Sequence, residues 1–432
     1  MISVTVHSPS FELGADWDDL MSRAHPNVFM SPAALRAADI TTFAKVHVLL
    51  AWDDRTQPRR LVGLWAMQQR RSWPFLTRVL DALPFEYAFL SSPVIDPDVA
   101  ADVMPAFLKA IAQAPSMPRV ILMKSLDTEA ASYKPLVDAV AARGGRLLTV
   151  KTENRPVVWR DSYMPATGER SKKLRQSWKR MSALGVTTMV FTSEPDAMVS
   201  AIETFLQLEF KSWKGAAGTA LLCRDEDANF VRRLISNLAE QGQATIQALQ
   251  IDGKTIATQV LLFSGEMAYT WKTAFDESYA KFSPGVLLIE KVTEHLFATT
   301  TITGIDSCSA ESSFMSQIWS GRRAMADVLV AVGPGPSIGF WIEAARHVGR
   351  ERLKRLRDDF VALRSTRKAR PIVESSVKIP AMRATNPKSA SSTTVRPSNT
   401  VVETASPPLA QDRHPLASHG RPAQGSAARS DA

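Results

Sequence analysis

Residues 244–288 read ATIQALQIDGKTIATQVLLFSGEMAYTWKTAFDESYAKFSPGVLL, and the architecture follows from them. Three runs rich in β-branched and aromatic residues, Ala244–Ile251, Thr255–Phe263 and Met267–Phe275, are joined by short turns, which predicts three strands in meander order. Asp252-Gly253 is the residue pair that a tight hairpin needs. The stretch then changes period. Ser283 suits an N-cap and Pro284 suits the first helical turn, where its missing N–H costs nothing, so a helix is expected over Ser283–Thr299.

The flanks extend this reading. Upstream lie a helix over Glu169–Leu184 stopped by Gly185, a strand over Val186–Thr192, and helices over Pro195–Trp213 and Asn229–Gln241. Downstream, the pattern predicts a strand near Ile302–Cys308, a short helix at Ser313–Trp319 and a last strand at Ala326–Val332. Helix and strand, two helices, a meander, then a helix between two further strands is the order of a mixed α/β sheet that splays after the meander, not of a doubly wound parallel sheet. The first half reads more faintly as α/β. It has strands at Lys45–Trp52 and Arg60–Gln68, a helix over Asp98–Ala114, a strand at Arg119–Met123, and a helix over Ser132–Arg143 stopped by Gly144-Gly145.

The 432 residues, 45% hydrophobic and 22% charged, exclude a wholly disordered, collagen-like or disulfide-scaffold chain. Cys223 and Cys308 cannot build a disulfide framework or a four-cysteine metal site, so a reducing compartment is expected. The start of the chain lacks the basic and apolar regions of a secretory signal, and no apolar run is long enough for a membrane span. A cytoplasmic protein is the expectation. The formal charge of +9 is concentrated at the end: residues from Ser365 onward carry +6 and leave +3 for the rest. A body near neutrality does not call for DNA. Composition divides the chain at 1–155, 156–333, a linker with a basic amphipathic helix at 334–364, and a tail at 365–432 expected to be disordered. The helix and tail could recruit a partner.

Three constellations could carry chemistry. The amides of Gly285, Val286 and Leu287, behind Ser283, would be unpaired at a helix start and available to an anion; the alternative is a capped helix that binds nothing. Glu209 falls on the apolar stripe of Met198, Ile202, Phe205, Leu206 and Trp213, where burial would raise its pKa and suit it to general base work. The alternative is a salt bridge to Lys211, Lys214 or the Arg170–Arg180 cluster. In GIDSCSAESSF, residues 304–314, Asp306 and Glu311 are candidates for substrate contact, with Trp213 on the preceding helix, while Cys308 reads as packing. No GxSxG, HExxH, GxxxxGK[ST] or CxxC occurs, which leaves no metal site or serine-hydrolase reading.

The runs LEFKSWKGAAGTAL (208–221), YTWKTAFDESYAKFSPGVLL (269–288) and DSCSAESSFMSQIWSGRRAMADVLVA (306–331) resemble the GNAT-type acetyltransferase-like domain of bacterial proteins linked to cellulose and exopolysaccharide biosynthesis, often called CelD-like. Fainter likeness in NVFMSPAALRAA (27–38), LVGLWAM (61–67) and FEYAFLSSPVIDPD (85–98) makes the whole chain similar to the tandem GNAT fold of Fem-type transferases. The resemblance implies two tandem GNAT-like domains and an acyltransferase using acetyl-CoA or another acyl-CoA on a polar small molecule such as a sugar. It puts the cofactor pyrophosphate at Ser283, Gly285, Val286 and Leu287, and the pantetheine along Tyr269–Ala274 with Trp271 and Thr273. Glu209 would be the base and Tyr279 or Tyr269 the proton donor. Two departures from the family pattern are the SPG loop and Ala310-Glu311 with Phe314-Met315 before the last strand. The rival expectations are aminoacyl transfer from tRNA docked on Arg170–Arg180, and a non-catalytic adaptor of a polysaccharide synthase.

Overall fold

The computed structural model describes residues 1–72, 77–335 and 337–368. From residue 369 on, the expected disordered tail lies outside the described residues. In the first half the order is β1 (Ile2–His7), α1 (Ala15–Met21), α2 (Pro32–Ile40), β2 (Val46–Asp53), β3 (Arg60–Ser72), β4 (Thr77–Asp81), β5 (Val94–Ile95), α3 (Ala100–Gln113), β6 (Val120–Asp127), α4 (Tyr133–Ala142) and β7 (Arg146–Trp159). In the second it is α5 (Gly168–Ser182), β8 (Thr187–Thr192), α6 (Pro195–Phe210), α7 (Trp213–Ala216), α8 (Asp225–Glu240), β9 (Ala244–Ile251), β10 (Lys254–Ser264), β11 (Met267–Phe275), α9 (Pro284–Thr299), β12 (Gly304–Asp306), α10 (Met315–Ile318) and β13 (Gly321–Ala331). The helix α11 (Ile338–Lys368) follows.

Among the described residues, thirteen strands join one sheet, in the order β1-β2-β3-β4-β6-β13-β7-β12-β11-β10-β9-β8, with β5 on the side of β3. Neighbours are antiparallel except β4–β6 and β11–β12. Each parallel pair sets the last strand of a meander beside the strand that follows the next helix, so the two halves repeat one plan. The hairpin between β9 and β10 turns at Asp252 (φ 46°) and Gly253 (φ 78°). Two successive positive φ values match the right-handed twist of the paired strands and favour Asp-Gly.

The last strand departs most from the sequence expectation. β13 begins at Gly321, five residues before the expected Ala326, and lies between β6 and β7 in the middle of the sheet. The helix expected at Ser313–Trp319 shrinks to the single turn of α10. The sequence pattern passed over β1, the first two helices, β4 and the long β7, because half-buried or short elements give little periodicity.

The core also crosses the midpoint of the chain. Phe29 and Phe85 of the first half pack with Phe230 and Tyr269 of the second in one buried cluster, and Phe43 stacks on Phe230 with centroids 4.2 Å apart and planes 7° off parallel. A second cluster fills the space between α9 and the meander with Leu249, Leu261, Leu287, Leu288 and Val292. Phe340 of α11 is fully buried against Leu122 and Leu329, so this helix begins as part of the body.

Candidate functional site

The sheet opens where β11 leaves β12. Met267, Ala268 and Tyr269 pair in parallel with Gly304, Ile305 and Asp306. One residue on, Thr270 Oγ1 donates to the carbonyl of Ser307 at 3.0 Å, while the Ser307 N–H donates to Pro156 O at 3.2 Å and Cys308 turns the chain at φ 49°. The chain after β12 thus veers toward β7. From Trp271 to Phe275, β11 keeps β10 on one edge and, among the described residues, has no strand on the other. The register against β10 passes from Leu261↔Thr270 to Val260↔Lys272, which makes Trp271 a bulge residue. A bulge adds twist and re-aims side chains, and it sits here at the mouth of the opening.

The start of α9 closes the far end of this edge. Ser283 stands in the N-cap position, but it is left-handed (φ 53°, ψ 52°) and its side chain caps nothing. Its carbonyl accepts from the N–H groups of Val286 (3.0 Å) and Leu287 (3.1 Å). Of the three amides expected to face an anion, only Gly285 N–H keeps no backbone acceptor. The expectation of a side-chain cap with three free amides is corrected accordingly, because the left-handed Ser283 points its carbonyl back into the helix. A Cβ on Gly285 would meet Phe275 at 3.5 Å and Thr273 at 3.9 Å, ordinary contacts, so the position has room for a small side chain. Gly285 and Thr273 therefore lie side by side.

The other candidate residues are dispersed. Glu209 is buried on the stripe of α6 as its spacing indicated, with Oε1 2.8 Å from Lys214 Nζ and Oε2 accepting from Leu221 N–H at 3.0 Å. Both oxygens are engaged inside the protein, which is the geometry of the salt-bridge alternative. Trp213 is 61% exposed, and its backbone N–H donates to Glu277 Oε1 at 2.6 Å. Tyr269 is 1% exposed; its hydroxyl donates to Pro26 O at 2.8 Å, and burial pushes its pKa far up. Tyr279 lies beyond the end of β11, with Lys254 Nζ 5.2 Å from its ring. Glu311 is exposed, and its Oε2 accepts from the Asn154 N–H at 3.2 Å.

Asp306 lies in a buried charge cluster. Its Oδ2 takes the Arg323 guanidinium at 2.9 Å and its Oδ1 takes the Cys308 N–H at 2.7 Å, with Arg155 Nη1 3.6 Å away. Arg323 also reaches Asp127 at 3.5 Å. Burial opposes charge on Arg323, but Asp306 and Asp127 outweigh it and leave the guanidinium pKa raised. The Cys308 thiol is driven well above its ordinary pKa by burial and then by Asp306, which suits packing rather than nucleophilic work. Arg155 and Arg323 were not singled out from sequence, since 168 positions separate them and only strand pairing brings them together.

Residues 168–314 match the family described as acetyltransferase (GNAT) domain. Among solved structures, the chain is similar to FemX at a TM-score of 0.52 and 12% identity, covering 75% of this chain and 97% of that one. It is also similar to a conserved protein of unknown function from Bacteroides thetaiotaomicron VPI-5482 (TM-score 0.49, 12% identity, 76% and 98% covered). A third is a tandem GNAT protein from the clavulanic acid biosynthesis pathway (0.42, 14%, 78% and 100%). No curated protein matches the chain. The fold is the expected mixed α/β, tandem GNAT-like arrangement, and residues 168–314 of the second half carry the match to a GNAT-type acetyltransferase domain. Among the described residues, no helix is long and apolar enough to cross a membrane, and no cluster of three or more His, Cys, Asp or Glu is placed to hold a metal ion.

Proposed function

We propose that this chain transfers an acyl group from acyl-CoA, acetyl-CoA being the simplest donor, to an amine or hydroxyl of a polar small molecule. The observation that carries the reading is the unpartnered edge of β11 from Trp271 to Phe275, ending at the start of α9. Free N–H and C=O groups on such an edge can pair with the amides of an extended pantetheine, as an added strand would. Gly285 N–H, at the positive end of the α9 dipole, favours a phosphate oxygen. When bound, acyl-CoA supplies a carbonyl activated as a thioester. Glu209 holds Lys214 and the backbone of Leu221 against α6, and Tyr87 of the first half meets Trp271 and Lys272 of β11 across the seam. The resemblance to proteins of cellulose and exopolysaccharide biosynthesis suggests a sugar or envelope precursor as acceptor.

Calorimetric titration of acetyl-CoA and CoA into the full chain tests this, beside Gly285→Asp. An aspartate in the first turn suits the helix dipole, and its Cβ would meet only ordinary contacts at Phe275 and Thr273, yet its charge opposes phosphate. Micromolar binding by the wild type and at least tenfold weaker binding by the variant are expected. Equal affinity in both would remove the site assignment. No binding to the folded wild type would overturn acyl-CoA as donor. Tight, steeply salt-dependent tRNA binding would then favour aminoacyl transfer, docked on the exposed Lys172, Lys173, Arg175, Lys179 and Arg180 of α5.

A further inference from the structure

Lys272 follows the bulge at Trp271 and stands at the seam between the halves. Its Nζ lies 4.8 Å from the centroid of the Tyr87 ring and 5.4 Å from that of Trp271. It makes no hydrogen bond or ion pair among the described residues. The carboxylates nearest in effect are not in contact with it: Glu209 is taken by Lys214 and Leu221, while Asp227 has Oδ2 3.8 Å from Arg224 and a buried Oδ1 without a hydrogen-bond partner. Burial lowers the pKa of this ammonium and Lys214 adds to the effect, with Glu209 and Asp227 opposing. The side chain nevertheless stays partly exposed, so the charge can be reached.

The walls around it are rigid. Tyr87 stacks on Phe43 (5.8 Å, 19°) and Phe230 (6.3 Å, 18°), and Trp271 Nε1–H donates to Tyr87 O at 2.9 Å. Ring faces attract a cation but do not neutralise it, and a desolvated charge without a counter-ion is costly to keep. With no carboxylate within ion-pair distance, the ammonium keeps its hydrogen-bond positions open for one negative group. A phosphate dianion would add a second negative charge beside Glu209 and Asp227, whereas a carboxylate would not. The two rings offer apolar area to whatever carries that carboxylate.

We infer that Lys272, Tyr87 and Trp271 form a subsite for a carboxylate borne on an apolar or aromatic body, so that the acceptor is an amine or alcohol that also carries a carboxylic acid. The word acceptor rests on the acyl-transfer reading; the binding of a carboxylate does not. The subsite draws Tyr87 from the first half and Lys272 from the second, which gives the tandem arrangement a task in recognition.

The test is the rate at which N-hydroxysuccinimidyl acetate acetylates Lys272 of the full chain at pH 7.5, read by peptide mass spectrometry with the exposed Lys254 as internal reference. Benzoate at 10 mM should slow Lys272 at least threefold and acetate should slow it less. Lys254 should be unchanged, and phosphate at equal ionic strength should do no more than chloride. In Tyr87→Ala, benzoate should lose its advantage over acetate. An unchanged Lys272 rate with both carboxylates, or stronger protection by phosphate, would overturn the subsite. Protection by benzoate in a protein that binds no acetyl-CoA would support the subsite and remove only the acyl-CoA reading. Acetyl-CoA binding without benzoate protection would do the reverse.

Discussion

Asp306 shows how much one buried charge can hold. It lies between Arg323 and Arg155, each 2% exposed, with Arg155 Nε and Arg323 Nη2 left without hydrogen-bond partners. Removing Asp306 leaves Arg323 with Asp127 alone and Arg155 with only the Phe89 carbonyl, and breaking a buried pair in this way costs about 3–5 kcal/mol. Asp306→Ala should therefore lower the urea-unfolding free energy by about 3 kcal/mol or more. Double replacement of Asp306 and Arg323 by apolar residues should cost less than the sum of the single changes. Additive losses in that cycle would count against a coupled cluster. At this scale the sequence was informative where a periodic stripe was involved. The burial of Glu209 followed from the spacing of Met198, Ile202, Phe205 and Leu206, all of which are buried with it, whereas Trp213, expected on the same stripe, begins the separate α7 and is exposed because α6 ends at Phe210. Lys272 gave no such signal, since its ring partner Tyr87 lies 185 positions earlier and only the fold joins them.

Among the elements, α11 couples docking to pH. His347 lies 3.8 Å from Glu343 on the same helix and against Arg346. Burial, followed by the Arg346 charge, lowers its pKa from 6.5 to about 4; Lys124 and Arg350 push the same way and Glu343 opposes them. Protonation thus favours the undocked helix: the full stabilisation is present above pH 6.5 and is lost as pH falls toward 4. The expected difference between pH 7 and pH 5 is on the order of 1 kcal/mol. The urea midpoint of the wild type should drop more over that interval than that of His347→Gln; equal drops would sink the assignment to His347. The meander, its Asp252-Gly253 hairpin and the helix after it were legible because each depends on residues close in sequence. The left-handed Ser283 was not, because a serine before Pro-Gly reads as an ordinary cap and nothing local reports its φ.

For the whole molecule, the place of β13 matters most. Neighbouring strands tend to be neighbours in sequence, and the pattern gave no hint that residues 321–331 pair with residues 120–127 and 146–157. The shared core of Phe29, Phe43, Phe85 and Phe230 was equally out of reach, as contacts across 200 positions leave no periodic trace. Neither half is then expected to stand alone. A fragment of residues 156–333 would carry β13 without β6 and with only a stub of β7, exposing two long edges and an aromatic face. It should be recovered aggregated, whereas the full chain should unfold in a single transition seen alike by fluorescence and circular dichroism. A soluble, folded fragment would show the halves to be independent.

Synthesis on the ribosome meets the same feature in time. The gap between β6 and β7 cannot be filled until residue 331 has emerged, 172 positions after β7 ends. At translation rates of about 5–20 residues per second that is a wait of roughly 10–30 s. Through that interval a nascent chain of this protein holds an open slot in the middle of its future sheet, a natural point for a chaperone to act.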